Sequence, residues 1–385
     1  MSTQAIINTR VFDGEVLHEE LSLILRDGIV TELASDPDLA GIEQVWDLQH
    51  RLLVPGLIDL QVNGGGGVLF NQDPSVETIR RIGSAHRPSG TTGFLPTLIS
   101  DTREKMIQAV HAVREARASG VPGVLGIHVE GPWLNPDYCG IHDPRHFRAL
   151  DRRDIELLAA PENGKVLLTL APEIAGPSAI AELTEAGIIV AAGHSGATYS
   201  QVGAAFNAGL SGFTHLYNAM SPLGSREPGM VGAALADDRS WMGIIADGHH
   251  IHPASFKLAV RAKQRGKSLL VTDAMATVGG DGQFEWNGQV VTDEDGCCRL
   301  PDGRLAGSSL DMITAVKNAM EFAGIDEQEA LRMGSVYPAR ALGLDRELGG
   351  IAPGMRASFL ERGQDYTVLR SWIDGQVKVH REATE

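Results

Sequence analysis

The sequence predicts an α/β protein, a TIM-like (β/α)8 barrel joined to a small β-sandwich domain formed by both chain ends. Three observations predict it. Eight short apolar runs alternate with helical stretches through the middle of the chain, polar residues follow these runs, and both ends are rich in Val, Ile and Leu. The length of 385 residues suits a barrel of roughly 250 residues plus an accessory unit.

The two chain ends resemble each other. Residues 1–52 have the pattern of short strands separated by Asp-Gly turns, and the C-terminal segment repeats this pattern with another Asp-Gly pair. Neither end has the strand-then-helix pattern that begins a βαβ unit. We therefore expect residues 1–52 and 345–385 to form one small β domain, and residues 53–344 to form the barrel.

The eight apolar runs have the composition of buried parallel strands. Stretches such as SVETIRRIGSAHRPSG and DTREKMIQAVHAVREARASG fit the gaps as amphipathic helices. Eight strand–helix repeats favour a closed barrel, with a doubly wound sheet as the alternative. The runs are LLVPGLIDLQV, TTGFLPTLI, GVLGIHVEG, KVLLTLAPE, GIIVAAGHS, SGFTHLYNA, WMGIIADGH and SLLVTDAMA.

Polar side chains recur where the predicted strands end. Barrel enzymes carry their chemistry at the C-terminal ends of their strands, and packing does not explain polar groups at the same end of many buried strands. These positions therefore predict a catalytic mouth. The residues concerned are Asp59, Gln61, Glu130, His194, His215, Asp247, His249, His250 and Asp273.

Glu130, His194 and His215 are candidate metal ligands. A buried carboxylate is costly unless it is paired or binds a metal, so Glu130 is either a ligand or half of a structural ion pair. A lone histidine after an apolar run is commonly a hydrogen-bonded core residue, but two on consecutive strands can reach one point. Two imidazoles and one carboxylate leave a coordination position open, as catalytic zinc sites do.

Three further polar residues are candidates for catalysis and binding. Asp273 is either the N-cap of a following helix or a group that takes a proton from water and passes it to a leaving amine. Arg226, in the loop after the sixth run, can fork onto a phosphate, although a lone loop arginine is commonly solvated. His250 is a candidate sugar or phosphate contact, whereas His249 and His252 can equally be structural.

Charge and cysteine content narrow the class of protein. The formal net charge of −16 disfavours nucleic acid and anionic membranes as partners. The three cysteines, Cys139, Cys297 and Cys298, give an odd count without a CxxC motif, so no disulfide framework is expected. The N-terminus lacks a signal-peptide pattern, and no apolar run reaches the ~18 residues of a membrane span. We expect a cytoplasmic protein.

Ten segments form a specific set of motifs: PGLIDLQVNGGGG, GIHVEGPW, GIHDP, AAGHSGAT, THLYNAMSPL, REPGMVG, IADGHHIHP, LVTDAMATVGG, LAGSSLDM and YPARALG. Together they resemble the N-acetylglucosamine-6-phosphate deacetylases of the amidohydrolase superfamily, over nearly the whole chain. The resemblance implies hydrolysis of N-acetylglucosamine 6-phosphate to glucosamine 6-phosphate and acetate, by metal-activated water with an aspartate as general base and acid. It also implies a role in amino-sugar catabolism and cell-wall sugar recycling, and a homodimer or homotetramer with sites near the subunit interface.

The resemblance also implies roles for individual residues. Asp273 would transfer the proton, and His142 of the GIHDP segment would help to hold the substrate amide. The metal ligands would be Glu130, His194 and His215. The sugar and phosphate contacts would be Ile141, Asn218, Ala219, Arg226, His250 and the segment Leu305–Ala306–Gly307.

Two departures from the superfamily pattern bear on the expected metal content. Gln61 and Asn63 replace a His-x-His pair at the end of the first strand, and neutral amides are poor ligands for a transition metal. These two residues would be partners of the ligands or the remnant of a second metal site. No lysine ends the fourth strand, where Lys165 stands at the start, so a carboxylated lysine that bridges two metals is not expected.

The expected cofactor is therefore one divalent metal per subunit, most suitably zinc, with iron, manganese or cobalt as alternatives. Two alternatives for the function stay open. One is deacetylation of N-acetylgalactosamine 6-phosphate, which differs from the expected substrate in one epimeric hydroxyl. The other is a catalytically silent protein that binds sugar phosphates, although binding alone does not require Asp273.

Overall fold

A computed structural model of the chain describes residues 2–381. Its strands in chain order are β1 Thr3–Phe12, β2 Leu17–Arg26, β3 Ile29–Ala34, β4 Gln44–Asp47, β5 Leu52–Pro55, β6 Leu57–Val62, β7 Gly64–Gly65, β8 Val68–Leu69, β9 Thr91–Ile99, β10 Gly126–Glu130, β11 Lys165–Leu170, β12 Ile189–Ala192, β13 Gly212–Phe213, β14 Trp241–Ile244, β15 Ser268–Leu270, β16 Gln283–Trp286, β17 Gln289–Glu294, β18 Cys297–Arg299, β19 Leu305–Ser308, β20 Phe359–Arg362, β21 Val368–Ile373 and β22 Gln376–Val379.

The helices alternate with the parallel strands and follow them around the molecule. They are α1 Val76–His86, α2 Arg103–Ala118, α3 Arg152–Leu158, α4 Pro172–Glu185, α5 Tyr199–Asn207, α6 Gly229–Ala236, α7 Pro253–Ala262, α8 Met312–Ala323, α9 Glu327–Gly334 and α10 Val336–Ala341. None of the helices among residues 2–381 combines the length and the apolar character that crossing a membrane requires.

Eight parallel strands form the barrel in sequential order, β6-β9-β10-β11-β12-β13-β14-β15. The seam between the last strand and the first is closed just beyond β15, where Val62 and Ala274 form a parallel bridge and the Asp273 N–H donates to the Gln61 carbonyl at 3.0 Å. All eight predicted runs contribute a strand to this sheet. The order and the closed seam confirm the predicted barrel and exclude the doubly wound alternative.

The two predicted amphipathic helices are α1 and α2. Ser75 caps α1 by accepting from the Thr78 N–H, and Thr102 caps α2 by accepting from the Lys105 N–H, since a hydroxyl satisfies an otherwise unpaired N–H of the first turn. Both helices bury one face against the barrel, which α2 does through residues such as Met106 and Val110.

The chain ends build a separate β-rich unit. β1 to β5 and β20 to β22 lie in one eight-stranded sheet, in which β5 pairs antiparallel with β20 and parallel with β1. This sheet has its own apolar core, which includes Phe359 and Trp372. Residue 1 and residues 382–385 of the predicted terminal domain lie outside the described residues.

The first apolar run divides into two strands. β5 belongs to the terminal sheet and β6 to the barrel, with Gly56 between them. A side chain at Gly56 would overlap the side chain of Thr92, so the chain can pass from sheet to barrel here only because residue 56 has no Cβ. The terminal sheet therefore continues to Pro55, beyond the expected limit at residue 52.

A second, smaller sheet has no counterpart among the predicted elements. β16 to β19 form a four-stranded antiparallel sheet between β15 and α8. Its buried side chains, such as Phe284 and Val291, pack with Leu69 and Met275 from the mouth of the barrel. The three cysteines are free thiols.

Candidate active site

Three donor side chains converge at the mouth of the barrel. Glu130 is the last residue of β10, and His194 and His215 follow β12 and β13. Glu130 Oε1 lies 3.2 Å from His194 Nε2 and 3.0 Å from His215 Nε2, and the two Nε2 atoms are 3.0 Å apart. All three side chains are buried, and one ligand atom of each lies within 4.8 Å of the others.

The hydrogen bonds around this cluster suit a metal ion. The Tyr138 carbonyl lies 2.8 Å from His194 Nδ1. Because a carbonyl only accepts, Nδ1 carries the proton and the lone pair of a neutral ring is on Nε2, facing the cluster. Burial alone would raise the pKa of Glu130, but His194 and His215 hold it well below its usual range. Glu130 is therefore ionised, as a ligand must be.

Asp273 lies beside the cluster, just beyond β15. Gln61 Nε2 donates to its Oδ1 at 2.9 Å and Asn63 Nδ2 at 2.6 Å. Gln61 Nε2 also lies 3.3 Å from both carboxylate oxygens of Glu130. Burial and the neighbouring Glu130 raise the pKa of Asp273. No helix begins at Asp273 in the described chain, so it is not the N-cap that the alternative interpretation required.

His142 reaches the same cluster from the loop after β10. Its Nε2 lies 3.9 Å from Glu130 Oε2, while its Nδ1 accepts from the Ser100 N–H at 3.2 Å. Nδ1 therefore carries no proton, and in a neutral ring Nε2 does. Burial, together with the neighbouring His194, lowers the pKa of His142 well below its usual range. His142 is thus a neutral ring that presents an N–H to the site.

The three histidines of the DGHHIHP segment have different surroundings. His250 Nδ1 is 2.6 Å from Asp247 Oδ2, which fixes the ring. Although burial opposes it, the contact with His250 holds the pKa of Asp247 below its usual value. His249 Nε2 lies 3.0 Å from the Asp295 carbonyl, and His252 caps α7. The last two have structural partners.

The loop after β13 carries the other predicted contacts. Asn218 Nδ2 donates to the carbonyl oxygens of His215 at 3.2 Å and Leu216 at 3.3 Å. The Ala219 carbonyl accepts from the Ser195 N–H at 3.0 Å, which ties this loop to the one that holds His194. Arg226 lies further along the loop and is exposed to solvent.

The smaller sheet brings the last predicted segment to the site. Leu305, Ala306 and Gly307 lie in β19, and the Ser308 N–H that follows donates to the Asp273 carbonyl at 3.0 Å. Ile141 packs against the core of the same sheet. Lys165 begins β11 and donates to the Gly343 carbonyl at 3.5 Å, at the opposite end of the strand from the site.

Several residues that were not predicted orient the predicted site residues. Ser100 holds His142, and the Tyr138 carbonyl holds His194. Glu173 accepts from Ser195 Oγ at 2.6 Å and from the Gly196 N–H at 2.7 Å, fixing the loop after His194. Ser100 and Glu173 left a signal, since each follows an apolar run as the other site residues do; a backbone carbonyl leaves none.

Comparison with known proteins identifies relatives that match nearly the whole chain. The model of the amidohydrolase family matches residues 52–378. The N-acetylgalactosamine-6-phosphate deacetylase of Shewanella sp. (strain ANA-3) is 42% identical over 369 residues, which cover 95% of this chain and 93% of the relative. The N-acetylglucosamine-6-phosphate deacetylase of Haemophilus influenzae is 36% identical over 381 residues, covering 97% and 99%.

The fold of this chain is also similar to that of a solved deacetylase structure. The crystal structure of N-acetylglucosamine-6-phosphate deacetylase from Pasteurella multocida has a TM-score of 0.93 at 36% identity, and the match covers 98% of this chain and 100% of that one. The structural match therefore includes the barrel, the terminal sheet and the loops of the site. The chain belongs to the amidohydrolase family, and within it to the group of N-acetylglucosamine- and N-acetylgalactosamine-6-phosphate deacetylases.

Proposed function

We propose that this protein hydrolyses the acetamide of N-acetylglucosamine 6-phosphate, giving glucosamine 6-phosphate and acetate. The observation that carries the proposal is the convergence of Glu130, His194 and His215 beside Asp273 at the mouth of the barrel. A protein that only binds sugar phosphates needs no carboxylate with a raised pKa next to a metal-ligand cluster. The names of the relatives support the substrate class.

The donor set suits one divalent metal per subunit. Glu130, His194 and His215 would hold it, and zinc is the ion that two imidazoles and a carboxylate favour, with iron, manganese and cobalt also compatible. When bound, such an ion polarises an amide carbonyl and makes water more acidic. Gln61 and Asn63 point their amide N–H groups at carboxylates, an arrangement that repels a second cation rather than binding it.

Asp273 would move the proton. Both amide donors contact its Oδ1, so Oδ2 is the oxygen left to accept a proton from the attacking water. The raised pKa of Asp273 keeps the proton on the carboxyl long enough to be passed to the amine as the C–N bond breaks. His142 would donate its Nε2–H to the acetyl oxygen and stabilise the negative charge that develops there.

The sugar phosphate would lie between the loops around the mouth. The sugar would contact His250, Asn218, Ile141 and the Ala219 backbone. One side of the sugar site would be lined by Leu305, Ala306 and Gly307. Arg226 would contact the phosphate. Since Arg226 is exposed in the single chain, its phosphate would be that of a neighbouring subunit in a homodimer or homotetramer. A cytoplasmic role in amino-sugar catabolism and cell-wall sugar recycling fits this chemistry.

N-acetylgalactosamine 6-phosphate is the second candidate substrate. A relative that is 42% identical carries that name, whereas a relative named for the gluco epimer is 36% identical. The two sugars differ in one hydroxyl, and a site that hydrogen-bonds this group can separate them by several orders of magnitude.

The experiment is acetate release by the zinc-loaded protein, with kcat/KM measured on both epimers and on unphosphorylated N-acetylglucosamine. We expect the highest value on N-acetylglucosamine 6-phosphate, at about one zinc per chain. A higher value on the galacto epimer would reverse the assignment. Acetate release from neither epimer, with zinc bound, would contradict the proposed reaction.

A further inference from the structure

A row of hydrogen-bonded side chains crosses the barrel interior directly beneath the metal-ligand cluster. Thr97 Oγ1 of β9 lies 3.1 Å from His128 Nδ1 of β10. His128 Nε2 lies 2.8 Å from Thr169 Oγ1 of β11, and Thr169 Oγ1 lies 2.6 Å from Thr214 Oγ1, just after β13. All four side chains are buried. They link strands that carry the site and belong to none of the roles assigned above.

Gly193 explains how the row passes from β11 to Thr214. A Cβ at Gly193, which follows β12, would lie 2.7 Å from Thr169 Cγ2 and 3.2 Å from Thr214 Cβ. The strand between the two threonines therefore has no side chain at this level. Only a glycine at this position lets the hydroxyl groups of Thr169 and Thr214 meet. Gly193 and the four side chains of the row therefore form one packed layer.

Every member of the layer except Thr97 adjoins a predicted metal ligand. Gly193 directly precedes His194, and Thr214 directly precedes His215. His128 lies two residues before Glu130 on the same face of β10. Thr169 is paired with Glu130 across β10 and β11, and its carbonyl accepts from the Gly131 N–H at 3.0 Å. The relative height of the three ligand-bearing strands is therefore set within this layer.

Apolar side chains could fill the same space without this specificity. Burying hydroxyl and imidazole groups is unfavourable unless they are bonded, and their net contribution to stability is small even then. Hydrogen bonds, however, have a preferred length and direction. A hydrogen-bonded row resists sliding of one strand past the next in a way that methyl groups do not.

We propose that His128, Thr169 and Thr214 are positioning residues that align Glu130, His194 and His215 for metal binding. The inference rests on the proposed metal site but not on the proposed substrate. Groups that hold metal ligands in place commonly contribute roughly 10–100-fold to metal affinity. Because this row acts through the strands rather than by touching the ligand atoms, we expect a loss of about tenfold, the lower end of that range.

The test compares zinc affinity, measured by competition with a chelator of known affinity, in the full-length protein and four variants. Thr169→Val and Thr214→Val remove a hydroxyl at nearly constant volume, whereas Thr169→Ser keeps the hydroxyl and removes the methyl group. Thr92→Val is the matched control, because Thr92 is also buried on β9 but its hydroxyl bonds the Leu57 carbonyl at 3.4 Å, outside the row. The visible spectrum of the cobalt-substituted proteins reports the ligand geometry.

We expect about tenfold weaker zinc binding and an altered cobalt spectrum in the two row variants, with wild-type values for Thr169→Ser and Thr92→Val. Wild-type affinity in Thr169→Val and Thr214→Val would overturn the proposal, as would an equal loss in Thr92→Val. Should Thr169→Val fail to fold, Thr214→Val decides. If the wild-type protein itself binds no zinc at this cluster, the proposed metal site is wrong; zinc binding without acetate release contradicts only the proposed reaction.

Discussion

Three side chains of the site stand on backbone that most residues avoid. His194, His215 and Asp273 have φ angles of 49°, 33° and 53°, in the left-handed region. Such a conformation costs about 1–3 kcal/mol when the residue is not glycine. Each of the three lies two or three residues after the end of a buried strand and turns its side chain into the mouth. Part of the folding free energy is therefore spent on this backbone conformation.

Asp273→Asn should lower kcat by roughly 10²–10⁴-fold, because the amide cannot accept the proton from water. Asparagine tolerates the left-handed backbone, and its side-chain oxygen can still accept from Gln61 and Asn63, so the local structure should persist. Measuring kcat and bound zinc on the same sample tests this. Near-normal turnover at full metal content would remove Asp273 from the mechanism.

Arg226→Ala should reduce kcat/KM for the phosphorylated sugar about tenfold to a hundredfold, since a charge-assisted hydrogen bond contributes about 1.5–3 kcal/mol. Unphosphorylated N-acetylglucosamine, already a poor substrate, should be affected much less. Kinetics of wild type and variant on both sugars give the comparison. Equal losses on the two sugars would mean that Arg226 supports its loop rather than contacting phosphate.

At the scale of elements, apolar runs predicted the barrel because buried parallel strands must be apolar on both faces. β16 and β17 were not predicted because their side chains are largely exposed. Their alternation of apolar and polar residues is short and is interrupted by turns. The division at Gly56 and the hydrogen bonds of Ser100 depend on residues distant in the chain. Predicting which residues gather at the mouth was possible, but the groups that orient them depend on packing that no local pattern encodes.

Gly193→Ala should destabilise the protein by about 1–3 kcal/mol, the usual effect of overpacking a filled core, and should lower zinc content. The added methyl group would press on Thr169 and Thr214. Gly203→Ala is the control: Gly203 lies in α5 with open space around it, and alanine there should stabilise by about 0.5–1 kcal/mol. Urea unfolding of both variants measures the difference, and a change of the same sign in both would refute this account of Gly193.

At the scale of the whole molecule, the barrel and the terminal sheet are joined by polar contacts as well as by the chain. Arg87, after α1, donates to Ser371 Oγ at 2.8 Å and to the Gln376 carbonyl at 2.6 Å. His380 Nε2 lies 2.9 Å from the same Ser371 Oγ. Burial, with the charges of Lys378 and Arg87, lowers the pKa of His380 to about 4.

This shift predicts acid sensitivity at the junction. In the unfolded chain this histidine has its ordinary pKa of about 6.5, so between pH 6.5 and pH 4 it binds a proton when unfolded but stays neutral when folded. Its contribution to the stability of the fold is therefore fully present above about pH 6.5 and is lost as the pH falls towards 4. His380→Gln should therefore reduce the fall in Tm between pH 7 and pH 5. His111→Gln, at an exposed position on α2, is the control. An unchanged pH dependence in His380→Gln would contradict the assignment.

Synthesis of the chain is affected by two pairings between distant strands. One joins β6 to the segment after β15, and the other joins β5 to β20. One edge of Leu52–Pro55 can pair with β1 early, but its other edge stays unpaired until Phe359–Arg362 has left the ribosome. Val62 likewise cannot pair with Ala274 until that residue has been made. A growing chain of this protein therefore carries unpaired strand edges for most of its translation, which is the condition under which nascent chains associate or recruit chaperones. Neither unit can be completed by the first half of the polypeptide alone.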